Sequence, residues 1–136
     1  MGLDVYALPA SGKPTASDLN GAEAYFRDTY NSVSLANWLA RNVDPKACGS
    51  LGLAIFTEPR EKLNSAAWRH RLLELALFWF ERARKLRGQI TYAGYPGDPP
   101  ESVTPEETDL FIEECVGLLE FALKVDVQCL QVHVSG

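Results

Sequence analysis

The chain has 136 residues and a mass of 15.0 kDa, a length that fits one domain. Apolar residues make up 46% and charged residues 23%, which excludes a disordered chain and gives a core large enough to fold without disulfides or a structural metal. The formal net charge of −5 speaks against general nucleic-acid binding, and three cysteines are too few, and odd in number, for a disulfide framework.

The opening MGLDVYALPA has no positive charge ahead of an apolar run, so no secretory leader is expected. No stretch approaches about 18 uncharged apolar residues, so no membrane span is expected either. A reducing, cytoplasmic setting follows. Leu3–Leu8 predicts a short strand closed by Pro9, and Ala10–Gly21 a polar loop. Ala24–Arg27 predicts a short strand or a helical turn. Asn31 or Ser32 is placed to cap a helix through Trp38 to Val43, which Pro45 ends. Leu51–Phe56 is a nearly continuous apolar run that suits a buried strand.

Asn64 or Ser65 caps the clearest helix, which runs to Arg87 and stops at Gly88. Trp68, Leu72, Leu75, Trp79, Ala83 and Leu86 form one apolar stripe, and Leu73, Leu77 and Phe80 a second. Gln89–Ala93 predicts a brief strand, and Gly94–Val103 an irregular loop. Thr104-Pro105-Glu106-Glu107 spells a capping box with proline at the first helical position. That helix is expected to reach about Lys124, and Val125–Val134 alternates as a strand. The expected fold is α+β: a single two-layer domain, residues 1–136, with two long helices packed on a small sheet that includes the N- and C-terminal strands. The wide apolar stripes point to a homo-oligomer.

Charge is segregated. Arg60–Arg87 holds eight basic and three acidic residues, a net of +5, whereas Asp98–Asp126 holds nine acids and only Lys124, a net of −8. Such segments serve as solvated faces, as a basic patch for an anion, or as an acidic face for a basic partner. Motifs for catalysis are missing. His70 and His133 are far apart and neither adjoins a cysteine. Cys48, Cys115 and Cys129 form no C-x-x-C pair for a metal; Cys115 and Cys129 suit core positions, and Cys48 a loop. Gly49-Ser50-Leu51-Gly52 lacks a phosphate-loop pattern. No cofactor and no metal are expected.

An aromatic and cationic set remains: Tyr25, Arg27, Trp38, Arg69, His70, Tyr92 and Tyr95. Rings to stack on and guanidinium forks suit a planar, nucleotide-like anion, although Trp38 also fits a core. The opening Met1-Gly2-Leu3-Asp4-Val5-Tyr6 resembles the MGLD-[MV]-Y start of small uncharacterised proteins of phages and bacteria. In those proteins a Tyr-Trp-Arg segment leads into a short helix bearing a tryptophan. Tyr25-Phe26-Arg27 followed by Asn31 and Trp38 is similar, with phenylalanine in the place of tryptophan. The resemblance spans residues 1–45 and carries no catalytic residue. It implies a phage or mobile-element origin and a protein that acts by binding.

Three readings follow. The first is a non-enzymatic protein that sequesters a small anionic, nucleotide-like molecule on the aromatic and cationic set. It predicts a closed, polar-lined pocket. The second is a protein–protein module that inhibits a host factor through an acidic or apolar surface. It predicts an exposed surface of that kind. The third is an enzyme that uses His70 or Cys48 with helix carboxylates, and it requires those groups in one cleft.

Overall fold

The computed structural model describes residues 2–9, 21–49 and 52–135; the loop expected over Ala10–Gly21 lies almost wholly outside them. Strand β1 (Gly2–Leu8) alternates, with Leu3, Val5 and Ala7 buried and Asp4 and Tyr6 turned outward. It is the centre of a three-stranded antiparallel sheet, flanked by β2 (Ala24–Thr29) and by the last strand, Gln131–Ser135. Val5 faces Phe26 on one side and Val134 on the other. A slip of one residue would turn Leu3, Val5 and Ala7 to solvent, so the alternation fixes the register. The terminal strands thus share one sheet, as expected.

Helix α1 (Leu35–Asn42) starts at Ser34, whose hydroxyl accepts from the Asn37 amide. Strands β3 (Cys48–Gly49) and β4 (Gly52–Leu53) then form a small hairpin that runs into a 3₁₀ turn, Ala54–Phe56. The strand expected over Leu51–Phe56 is therefore confined to Gly52–Leu53 within the described residues. Ile55 and Phe56 are both buried. Consecutive strand residues point to opposite faces, whereas a 3₁₀ turn brings both to the core.

Helix α2 (Ala66–Ala83) is capped by the Ser65 hydroxyl on the Trp68 amide and tightens into a 3₁₀ turn at Arg84–Leu86. Gly88 ends it with φ +74. Strands β5 (Thr91–Ala93) and β6 (Glu101–Val103) pair as a hairpin. The stretch expected to be irregular up to Val103 thus ends in a strand, because pairing with Thr91 buries Val103. Helix α3 (Pro105–Gln128) has the expected capping box: Glu107 N–H donates to Thr104 Oγ1 at 3.1 Å, and Thr104 N–H to Glu107 Oε1 at 3.2 Å. It outruns the expected end at Lys124 because Val125 continues its buried stripe. Cys129 closes it in the left-handed region, φ 50, and is exposed instead of joining the core. Cys115 is buried, as expected. The last strand, β7 (Gln131–Ser135), follows at once. Its edge is guarded by the Asn64 carboxamide, which donates to Val132 O at 3.0 Å and accepts from Val132 N–H at 2.7 Å; unpaired strand edges invite aggregation.

Helix α3 packs on β2 and against α2. Three tryptophans fill the interior, and each indole N–H is satisfied. Trp68 donates to Ile55 O, Trp79 to Asp44 Oδ2, and Trp38 to Thr91 Oγ1 at 2.7 Å. Thr91 in turn meets Thr108 Oγ1, which donates to Thr104 O. With the Thr91 oxygen accepting from Trp38, its hydroxyl proton goes to Thr108. Among the described residues, no helix is long and apolar enough to cross a membrane.

Thr91→Val keeps the shape but strands the Trp38 indole proton. Urea unfolding of this variant should show a loss of about 1–3 kcal/mol. Thr57→Val, at an exposed hydroxyl, should change stability far less.

Candidate functional site

Asp28 lies at the inward-facing end of β2 and is 3% exposed. Its Oδ1 accepts from the amides of Thr29 and Leu35, and its Oδ2 accepts from Ala36. The carboxylate thus holds the first amides of α1, where the helix dipole favours negative charge. Burial pushes its carboxyl above the usual range, and the bonds from Leu35, Ala36 and Thr29 work against that rise. The chain between, Thr29–Ser34, forms a turn with a hollow on each flank.

On one flank is a groove of about 260 Å³ between the turn and α3. Asp28, Glu107 and Glu114 line it together with Val33, Leu35, Leu110 and Phe111, and no basic residue does. Leu110 is 65% exposed at its rim. Glu114 is exposed as a residue, yet desolvation by the surrounding chain, and then the Asp28 charge, pushes its carboxyl up to about 7.

On the other flank is a cleft of about 210 Å³ bounded by Thr29 and Tyr30, α1, the β3–β4 hairpin, and Tyr95 with Pro96. None of its described lining residues is acidic or basic. Cys48 lies here, half-buried, with Sγ 3.4 Å from Asn37 Oδ1 and from Gly49 O. Burial and then the Asp28 charge push its thiol up, so it stays protonated at neutral pH. This opposes the thiolate that a nucleophile needs.

The aromatic and cationic set is spread over several parts of the fold. Tyr25 and Arg27 stand on the outer face of the sheet, where both donate to Asp4 Oδ1, Arg27 at 2.7 Å. The Tyr25 bond above all, with Arg27, holds the Asp4 carboxyl below its usual range. Trp38 is wholly buried and stacks on Phe111 at 5.3 Å, so it presents no surface to a ligand. Arg69 donates to Asn64 O at 2.7 Å. His70 is exposed on α2 and meets Glu74 one turn on. Tyr92 is exposed on β5, paired with Ser102 in the β5–β6 hairpin, its carbonyl accepting from Asn42. Of the set, Tyr95 lines one of these two hollows. Asp28 went unsingled in the sequence. The cue for Asp28 was its place one residue before the end of a strand and a few residues before a helix N-terminus. Among the described residues, no group of three or more His, Cys, Asp or Glu side chains is placed to hold a metal ion.

Two outcomes follow. Asp28→Ala leaves the amides of Leu35 and Ala36 buried without acceptors and should cost about 3 kcal/mol in chemical denaturation, with Asp28→Asn costing less. Glu114 binds its proton more tightly folded than unfolded, so it removes stability as pH rises from about 4.5 to about 7. The midpoint of Glu114→Gln should therefore exceed that of the wild type at pH 8 and match it at pH 4.

Compared with family models, curated proteins and solved structures, the chain matches none.

Proposed function

We propose that the chain is a protein-interaction module whose acidic groove takes a lysine- or arginine-bearing segment of a partner protein. The observation that carries this reading is the groove itself: three carboxylates, no lining cation, and an exposed Leu110 beside them. A long cationic side chain is apolar along its stem and charged at its tip. Leu110 and Phe111 suit the stem, and Glu114 and Glu107 suit the tip. The outward acids of α3, Glu106, Asp109, Glu113 and Glu120, extend the negative field beyond the groove and favour a segment with several cations. Of these, Glu113 alone forms an ion pair among the described residues, with Arg87 at 3.5 Å. Sequestration of a small anion has less support, since Arg27 is engaged by Asp4 and Arg69 by a backbone carbonyl. Blocking of a host protein, one of the two binding roles that the resemblance of residues 1–45 leaves open beside sequestering a host signal, is the same reading at the level of the cell.

The test is titration with a hexalysine peptide and a neutral hexaglutamine control. Hexalysine should bind, more weakly as salt rises, and more tightly at pH 8 than at pH 6 as Glu114 ionises. Glu114→Gln should weaken it by up to about fivefold, as befits a partly solvated ion pair, and abolish the pH dependence. Leu110→Ser should weaken it at both pH values. Equal binding of the two peptides, or indifference to both substitutions, sinks the reading. Sedimentation of the chain alone at the same salt concentrations separates a foreign partner from a second copy, whose Arg60–Arg87 segment is the basic surface that this chain supplies itself.

A further inference from the structure

We propose that the uncharged cleft between the Thr29–Ser34 turn, the β3–β4 hairpin and Tyr95 is a second binding site, for a small, flat, neutral molecule of one or two rings with amide-like edges, such as a nucleobase or nicotinamide. This site is independent of the acidic groove.

Size sets the first limit. Pockets for drug-sized ligands start at about 300 Å³, and this cleft holds about 210 Å³. A ring system fits, whereas a whole nucleotide does not. Charge sets the second limit. No described lining residue is acidic or basic, and the Cys48 thiol stays neutral. An anion or cation would give up its hydration and find no counter-charge. The Asp28 charge reaches the cleft, where it helps to raise the Cys48 thiol, but its oxygens are turned to the amides of the turn and helix and offer a ligand no direct partner.

The walls supply what a flat neutral ring needs. Gly52 holds φ +99, a conformation that side chains avoid, and a Cβ there would stand 3.6 Å from both Leu3 Cδ2 and the Tyr30 ring. Gly49 and Gly52 both line the cleft, so part of its wall is peptide backbone with no side chain over it. Peptide groups match the donor and acceptor edges of an amide or a base. The Tyr95 ring, 46% exposed, stands at the mouth as a stacking surface. Its position is fixed from three sides. The Tyr95 hydroxyl donates to Tyr30 O at 3.0 Å, Arg41 donates to Tyr95 O at 2.9 Å and Asp98 O at 2.7 Å, and Gly94 N–H donates to Ser32 O at 3.0 Å. Inside, the Asn37 carboxamide cannot rotate, since its Nδ2 donates to Asn31 O and Ser32 O. Such a site loses little freedom on binding.

The test uses adenine, uracil and nicotinamide, with AMP as the charged control. Amide resonances of Thr29, Tyr30, Asn37, Cys48, Gly49 and Gly52 should shift on titration with at least one neutral ring. In a Cys129→Ser background, that ring at saturation should slow alkylation of Cys48 by about tenfold, and AMP at the same concentration should not. Tyr95→Ala should weaken binding by about tenfold, the worth of one stacked ring, while its thermal midpoint reports whether it is folded. The alkylation assay needs no substitution in the cleft, so a misfolded variant does not blunt it. Absence of shifts with all three rings at millimolar concentration overturns the proposal. So does AMP binding more tightly than adenine, or a bound ring that leaves Cys48 as reactive as before. Glu114→Gln should leave ring binding unchanged, so failure here and failure of the acidic groove are read separately.

Discussion

A buried carboxylate costs several kcal/mol unless the protein replaces the water that it loses. Asp28 meets that condition with the amides of Thr29, Leu35 and Ala36. The exchange is mutual, because the first amides of a helix also need acceptors. The end of β2 is thereby tied to the start of α1, and the intervening turn takes a defined shape. Both hollows are defined by that turn: Thr29 and Ser34 line the acidic groove and the uncharged cleft alike.

The same charge gives the two flanks different characters. Toward α3 it adds to the desolvation of Glu114 and helps to raise that carboxyl to about 7. Toward the hairpin it helps to hold the Cys48 thiol in its neutral form. One flank therefore gathers carboxylates, and the described residues that line the other carry no acidic or basic side chain. A nucleophilic cysteine needs the opposite field, a nearby positive charge or an unencumbered helix N-terminus. The N-terminus of α1 is near Cys48, but Ser34 and Asp28 already occupy its amides.

Local physics was legible in the sequence wherever it acts within a few residues. The capping box at Thr104 and Glu107, a cap at Asn64 or Ser65 (Ser65 in the event), the stop at Gly88 and the strand over Leu3–Leu8 all have causes within one turn or one strand, and all are present. Where a distant partner decides, the sequence was silent. Glu101–Val103 looks like loop and becomes a strand because Thr91 pairs with Val103. Val125 looks like the start of a strand and stays helical because its inward position continues the α3 stripe. Cys129 looks like a core residue, yet it closes a helix in the left-handed region. The site shows the same division. An aromatic or cationic residue type announces itself, but Trp38 went to the core, Tyr25 and Arg27 to the outer sheet face, and Tyr95 to one of the two hollows. Asp28 carries more of the architecture than any of them, and nothing in its neighbours' identities marks it out.

How far the two flanks act on each other depends on the stiffness of the turn between them. A ligand on one side shifts the other only if the turn has a second arrangement with different affinity for it. This turn is fastened from below by Asp28, from α1 by the Asn37 carboxamide on Asn31 O and Ser32 O, and from the far loop by Gly94 and Tyr95 on Ser32 O and Tyr30 O. A second arrangement would have to break several of these bonds together, some of them buried. The turn therefore serves as a fixed wall: it preorganises each hollow and keeps the two energetically separate.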